Sequence, residues 1–446
     1  MSEVAITPLL DVSSFKSMGS AVSRRVLVQP ENLSKVDLGT ATQDVYFALP
    51  SGRYSMINGQ NSYLMFDAGF TGANSTAFLR GFSNGSASSA IRGMELIIGN
   101  TSVEMLDRYN VFAALVEDFQ GAERSKNVGN IMSGGNATFT KAPALAPAAT
   151  AVPLQRYCIP IYSSVIGTLA TQVCPAVDSI RLKLTFENLA IATQEAATTG
   201  ALAGTTALTA CAITNINLVM DYLDVDPVIH SQLIQESGGV FKTHGSGVAN
   251  FSSTITASAG TSSSFLIPAR YSSVKNYFTC WRNADTTGTN AGLVNSTGGR
   301  YYPAAKSIAY RIDGRQYPSI PIVAHNGNVA LAGEAFAELI KCFDAANAVT
   351  FDCVFNLAEY TSQGTLPVDI LSVTNNTDSF CIGVDFEEAV GGGRAVVSGR
   401  DTNSNNTFLE VQYNSATMPG LIVDTFAVYD NILECNMMTG EISVSK

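Results

Sequence analysis

The chain has 446 residues, a formal charge of -11 and only 14% charged residues, low against the usual ~25%. An acidic chain is repelled by nucleic acid unless cations or another protein intervene, and no segment approaches the ~18 uninterrupted apolar residues of a membrane-spanning helix. The length fits two β-rich halves of about 210 residues better than three domains of ~150.

Residues 1–25 lack a regular pattern and are expected to form an N-terminal arm ending in Ser23, Arg24 and Arg25. The N-terminus has no basic stretch followed by a long apolar one, so no signal peptide is expected. Strand-like runs follow at 25–29, 43–49, 62–67 and 92–98, with Pro50, Ser51 and Gly52 marking a turn. The polar, Gly-rich stretch 68–90 is expected to be a loop. Leu106, Tyr109, Ala113 and Val116, widened by Phe112, Leu115 and Phe119, share one helical stripe. Thr101 or Ser102 is the expected cap, and Gly121 the expected end.

The Gly/Ala/Pro-rich stretch 129–152 reads as a long exposed loop. Strands return at 154–162 and 179–186. A low-complexity stretch, 196–210, leads to a closing strand at 212–225. Asp226 and Pro227 mark the boundary, because proline restrains the residue before it and cannot continue a ladder.

The second half repeats the order of parts. Strands are predicted at 233–241, 250–257, 263–267, 273–281 and 306–312, with a polar loop over 282–299. Asp313 and Gly314 form a strong turn signal, and Pro318 and Pro321 keep the next segment extended. Phe336, Leu339, Ile340 and Phe343 mark a second amphipathic helix. Further strands are predicted at 369–373, 380–386, 408–413 and 422–434. The segment Met94 to Asn100 with its helix corresponds to Ala309 to Gly314 with its helix, and the closing strands at 213–226 and 422–434 are alike. The expected fold is mainly β: two tandem antiparallel eight-stranded jelly rolls, each with one or two short helices in its loops. The divisions are an arm over 1–25, a first roll over 26–226 and a second over 227–446.

Chemistry-bearing patterns are scarce. His230, His244 and His325 stand beside turn or loop signals, and no two have metal-ligand spacing. Gly245, Ser246 and Gly247 make no nucleophile elbow. Gly391 to Arg394 has no following helix with which to hold phosphate. Asp401, Asn403 and Asn405 begin like a calcium loop, but Asn406 and Gln412 occupy the glycine and bidentate-carboxylate positions. Glu387 and Glu388 are sequence neighbours beside a strand and point apart. Lys16, Arg24 and Arg25 form the one basic cluster worth naming, read as a solubilising or interface patch. The triplets at Asn74, Asn136 and Asn295 arise by chance in a chain so rich in Asn, Ser and Thr. Cys158, Cys174, Cys211, Cys280, Cys342, Cys353, Cys381 and Cys435 include no C-x-x-C pair and read as reduced packing residues of an intracellularly made protein. No catalytic, cofactor-binding or metal-binding residue is assigned.

From Lys306 onward the chain resembles the double jelly-roll major capsid proteins of tailless double-stranded DNA viruses, most like those of polinton-like viruses, adintoviruses and virophages. The carrying segments are Ala309 to Pro318, Phe380 to Phe386, Val397 to Thr402, Val423 to Leu433 and Met438 to Ser445. In the first half, Ile97 to Gly99, Tyr109 with Asn110, and the stretch to Lys126 fit the helix region of that family. The resemblance implies a non-enzymatic structural protein of the virion, assembled inside the host cell. It further implies homotrimeric, near-hexagonal capsomers tiling an icosahedral capsid, with neighbouring capsomers and minor capsid or penton proteins as partners. It implies no cofactor, no specific nucleic-acid binding and no transmembrane segment. A minor capsid protein of the same lineage is an alternative. A secreted carbohydrate-binding β-sandwich adhesin is another; it requires a signal sequence and an exposed aromatic platform, and the chain offers a single tryptophan, Trp281.

Overall fold

The computed structural model describes residues 21–72, 78–119, 125–134, 151–197, 208–256, 261–283, 297–326, 329–343, 353, 357–361, 379–387, 399–414, 420–437 and 442–446. Strands form where side chains alternate. Ile180–Phe186 turns Leu182, Leu184 and Phe186 to the core and the residues between them outward. Thr407–Tyr413 does the same with Leu409, Val411 and Tyr413. Period-two alternation buries one face of a sheet and wets the other.

The first half has eight principal strands: β1 Ala21–Val28, β2 Gln43–Ala48, β3 Ser55–Gly72, β4 Ile91–Ile98, β5 Thr101–Asp107, β6 Ala151–Pro160, β7 Ile180–Phe186 and β8 Leu208–Val225. They form two antiparallel sheets, β1-β8-β3-β6 and β2-β7-β4-β5. The second half continues with β9 Val240–Ile255, β10 Ser262–Ile267, β11 Val274–Asn283, β12 Ala305–Ile312, β13 Arg315–Ile322, β14 Ile382–Asp385, β15 Thr407–Tyr413 and β16 Leu421–Asn436. Its sheets are β9-β16-β11-β14 and β10-β15-β12-β13. Each strand number in the second set is the first plus eight. Two sheets in this order, with the first and last strands adjacent, make a jelly roll. The chain contains two.

The helices repeat as well. Helix α1, Tyr109–Asp118, lies between β5 and β6, and α3, Ala332–Lys341, lies between β13 and β14. Each follows a tight hairpin. Gly99 (φ 62°) turns β4 into β5; Asp313 (φ 52°) and Gly314 (φ 72°) turn β12 into β13. Positive φ at the turn matches the right-handed twist of the paired strands. Helix α2, Pro227–Glu236, joins the rolls.

Four sequence expectations change. Residues 21–25 are not arm: β1 starts by Ala21 and pairs along its length with β8, Arg24 reaching Asp224 at 3.0 Å. The stretch 68–90 is not one loop. Strand β3 runs on to Gly72, and Phe78–Phe82 and a 3-10 turn at Ala87–Ala90 follow. Hydrogen bonds to β8 and β6 on both sides hold β3 against its weak local propensity. Thr101 and Ser102 cap nothing; they open β5. Helix α1 starts only at Tyr109, behind Arg108 in the left-handed conformation (φ 56°). Leu106 is a buried strand residue, since its spacing suits either period over so short a run.

The fourth change is at 233–241, predicted as strand. Helix α2 occupies Pro227–Glu236, and β9 is one strand from Val240 to Ile255. Pro227 stands at the first helical position, where its missing N–H costs nothing, and the Asp226 carboxylate accepts the Val228 N–H at 2.8 Å. The proline that ends β8 therefore also starts a helix. The strand predicted at 369–373, the end at Gly121, and most of the Gly/Ala/Pro loop lie outside the described residues.

Candidate assembly surfaces

The two rolls meet along a seam of backbone and side-chain contacts. Strand β5 of the first roll packs against β9 of the second. Ala170 and Gly245 form an antiparallel bridge, with Thr171 N–H donating to the His244 carbonyl at 3.2 Å and Ser246 N–H to that of Leu169 at 3.1 Å. A Cβ on Gly245 would overlap the Ser164 carbonyl, so the backbones meet only because this residue is glycine.

Buried polar groups line the seam, and several pair across it. The Glu104 carboxyl accepts the Ser164 N–H at 2.7 Å and the Ser163 hydroxyl. Asn431, across the seam, donates to Ser164 Oγ at 2.8 Å and to Glu104 at 3.5 Å. Burial raises the Glu104 pKa, against the pull of these donors. The fully buried Arg300 of the second roll forms an ion pair with Asp118 at the end of α1. Phe112 of α1 lies 5.4 Å from Phe426 of β16, and Phe119 lies 4.8 Å from Phe343 beyond α3.

Beside the seam, the Glu117 carboxylate on α1 accepts the hydroxyls of Ser86 (2.8 Å) and Ser88 (3.0 Å). Burial pushes its pKa up from 4.5 to about 7, which the two hydroxyls oppose and Asp118 reinforces. The folded protein thus holds a proton that the unfolded chain releases. The Glu117 contribution to stability is greatest below about pH 4.5 and falls as pH rises toward 7. Glu117→Gln is expected to remove a loss of about 2–3 kcal/mol over that window. Urea unfolding across the pH series checks it; equal slopes in both proteins would contradict the assignment.

Of the residues singled out in the sequence, His244, Gly245 and Ser246 lie at the seam and most of the others fall elsewhere. His244 Nε2 meets Asp430 at 2.8 Å. Burial works against the Asp430 carboxylate, but His244, Ser273 and Lys275 together hold its pKa below the usual range. His230 is buried against Tyr54, ring centroids 5.3 Å apart, in a cavity of about 650 Å³ beside α2. Burial and Arg53 lower its pKa. His325 is buried next to Tyr302. The three histidines are not brought together, and among the described residues no cluster of three metal-ligating side chains exists.

Gly245, Ser246 and Gly247 are strand residues, and Gly247 makes room for the Tyr429 ring. In the calcium-like fragment, Asp401 turns back to accept the Asn403 N–H at 2.8 Å, and Arg270 takes the carbonyls of Asn403 and Asn405. A guanidinium occupies the oxygens a cation would need. Glu387 pairs with Lys275 at 3.4 Å. Arg25 stacks on Tyr63 at 5.7 Å and donates to its hydroxyl. Trp281 is fully buried. Cys174, Cys211, Cys280, Cys381 and Cys435 are buried and Cys158, Cys342 and Cys353 half-buried, all as free thiols. Lys16, Glu388, Gly391 to Arg394, Asn74, Asn136 and Asn295 lie outside the described residues. Among the described residues no helix is long and apolar enough to cross a membrane. Sequence reading missed Arg300, Asp118, Glu104 and Asn431, whose partners are far away in the chain.

Solved structures share the whole architecture. A chain of the Sputnik virophage matches with a TM-score of 0.57 at 11% identity, covering 100% of this chain and 94% of that one. The Faustovirus major capsid protein matches with a TM-score of 0.60 at 8% identity, covering 95% and 92%. The mavirus major capsid protein matches with a TM-score of 0.51 at 10% identity, covering 100% and 96%. The chain has the double jelly-roll fold of these viral proteins. No protein-family model and no curated protein matches it. At such identities the double jelly roll is conserved as an order of strands, not as a set of residues.

Proposed function

We propose that the chain is a major capsid protein. It acts as a structural tile, not an enzyme, in the shell of a tailless double-stranded DNA virus, and works in the virion after assembly in the host cell. The observation that carries this reading is the duplication of one roll in one chain, the copies fused by a buried seam. Three such chains present six similar lobes, so a trimer packs like a hexagon while keeping threefold symmetry. The end-to-end likeness to the Faustovirus and mavirus major capsid proteins supports it. The chain's single tryptophan, Trp281, is fully buried and offers no surface on which a sugar could stack.

Neighbouring capsomers and minor or penton proteins are the partners this role requires. Residues 1–20 are proposed as an arm reaching them. Light scattering on purified protein tests the reading. A particle of about 140 kDa, three times the 47.1 kDa chain, that associates further into shells is expected. A stable monomer that binds glycans would overturn it.

A further inference from the structure

A further contact between the rolls lies beside α2, and two thiols make it. Cys174 belongs to the first roll, on a strand only two residues long, Cys174–Pro175, that pairs with β3 at Met56 and Ile57. Cys435 belongs to β16 of the second roll, opposite Phe241 of β9. Both are buried, and their sulfhydryls are in contact across the rolls. Cys174 also faces Thr243 of β9. Thr243 is paired with Leu433, two residues from Cys435, so Thr243 and Cys435 share one face of the β9–β16 ladder.

Small molecules can reach this pair from one side. Cys435 lines the cavity of about 650 Å³ beside α2, and Pro175, next to Cys174, lines it too. Arg53, Tyr54 and Asp178 on its wall are exposed, so solvent enters it. Its volume is in the usual range of small-molecule sites. The two thiols are not equivalent. The Cys174 sulfhydryl, donating to Cys435, holds that thiol below its ordinary range, against the effect of burial. The same contact, with burial, keeps Cys174 well above the ordinary range. Cys435 therefore ionises first, and it is the thiol that a reagent in the cavity meets.

We infer that Cys174 and Cys435 are a site of oxidation, forming a disulfide that locks the two rolls together when the chain meets a small-molecule disulfide. The Cys435 thiolate, its proton given to solvent, attacks one sulfur of the reagent. The reagent's S–S bond breaks, and one half leaves as a thiolate. Cys174, losing its own proton, then attacks the Cys435 sulfur of the mixed disulfide, and the second half leaves. The two cysteines give up two electrons and two protons. The reagent takes both up and ends as two free thiols.

Sulfurs already in contact need only a short approach to reach the bonded separation of about 2.05 Å, and the two-residue strand at Cys174 is a short element to shift. The bond closes a loop from the first roll into the last long strand of the second, so it strongly restricts the unfolded chain. In a reducing compartment both groups stay thiols, and an oxidising medium makes the link. The inference stands apart from the capsid reading; for a capsid tile, it places the link after release from the host cell.

The test incubates the full folded chain with glutathione disulfide, removes the reagent, counts thiols and maps unreduced peptides by mass spectrometry. The eight thiols of the parent are expected to fall by two, with one linked peptide pair joining Cys174 to Cys435. The urea midpoint of the oxidised protein is expected to rise by about 1 M and to return on reduction. C174S is expected to stop at a glutathione adduct on Cys435, and C435S to leave Cys174 unmodified. A parent that keeps all eight thiols, or a link that maps to another pair, overturns the inference. An adduct on Cys174 in C435S, with none on Cys435 in C174S, overturns the order of attack. The first readout uses the unsubstituted chain, so it decides the matter even where a variant does not fold.

Discussion

Asp118→Ala is expected to destabilise the protein by about 3–5 kcal/mol. Arg300, its partner, is fully buried, and its remaining acceptor among the described contacts is the Ser379 carbonyl at 3.3 Å. Removing the carboxylate strands a guanidinium in the seam between the rolls. Pairing the change with Arg300→Met should recover most of the loss, since two apolar side chains in a dry site avoid the cost of stripping water from charges. Urea unfolding of the three proteins measures it. A single variant within about 0.5 kcal/mol of the parent, the usual range for a surface change, would show that the pair carries no weight in the seam.

Phe426→Ala is expected to cost a similar amount, about 3–5 kcal/mol. The ring is fully buried on the outer face of β16, facing Phe112 from the other roll. Its removal opens a cavity between the rolls while leaving the interior of either roll alone. The inward residues of the second roll, such as Thr279, Tyr310 and Thr425 with their shared hydroxyl contacts at 2.7 and 2.8 Å, keep their partners. Met105→Ala, on an exposed site, should change stability by less than about 0.5 kcal/mol. Equal effects from the two substitutions would mean that the rolls hold together without the Phe112–Phe426 contact.

Much of the fold could be read because jelly-roll strands write their burial into alternation. Ile180–Phe186 and Thr407–Tyr413 show period two and were placed to within a residue. The repeat was visible in the segments around Met94 and Ala309, and the structure gives both the same hairpin and a following helix. Signals failed where one residue served two purposes. Pro227 ends a strand and starts a helix, and α2 was missed because Val228 and Ile229 face solvent and blur its apolar stripe. Strand β3 was cut short because local polarity outweighed, on paper, a ladder that exists only once β8 and β6 arrive.

The seam was not legible at all. Asp118 and Arg300 are 182 positions apart, and Glu104 and Asn431 are 327 apart. Nothing in either neighbourhood announces a partner, because pairing across a domain boundary is decided by tertiary approach and not by spacing.

The most direct test of the role as a shell tile is a single-particle electron image of the purified protein. A three-fold particle with a near-hexagonal outline and six lobes, two from each chain, is the predicted result. Isolated two-lobed particles at every concentration would contradict it.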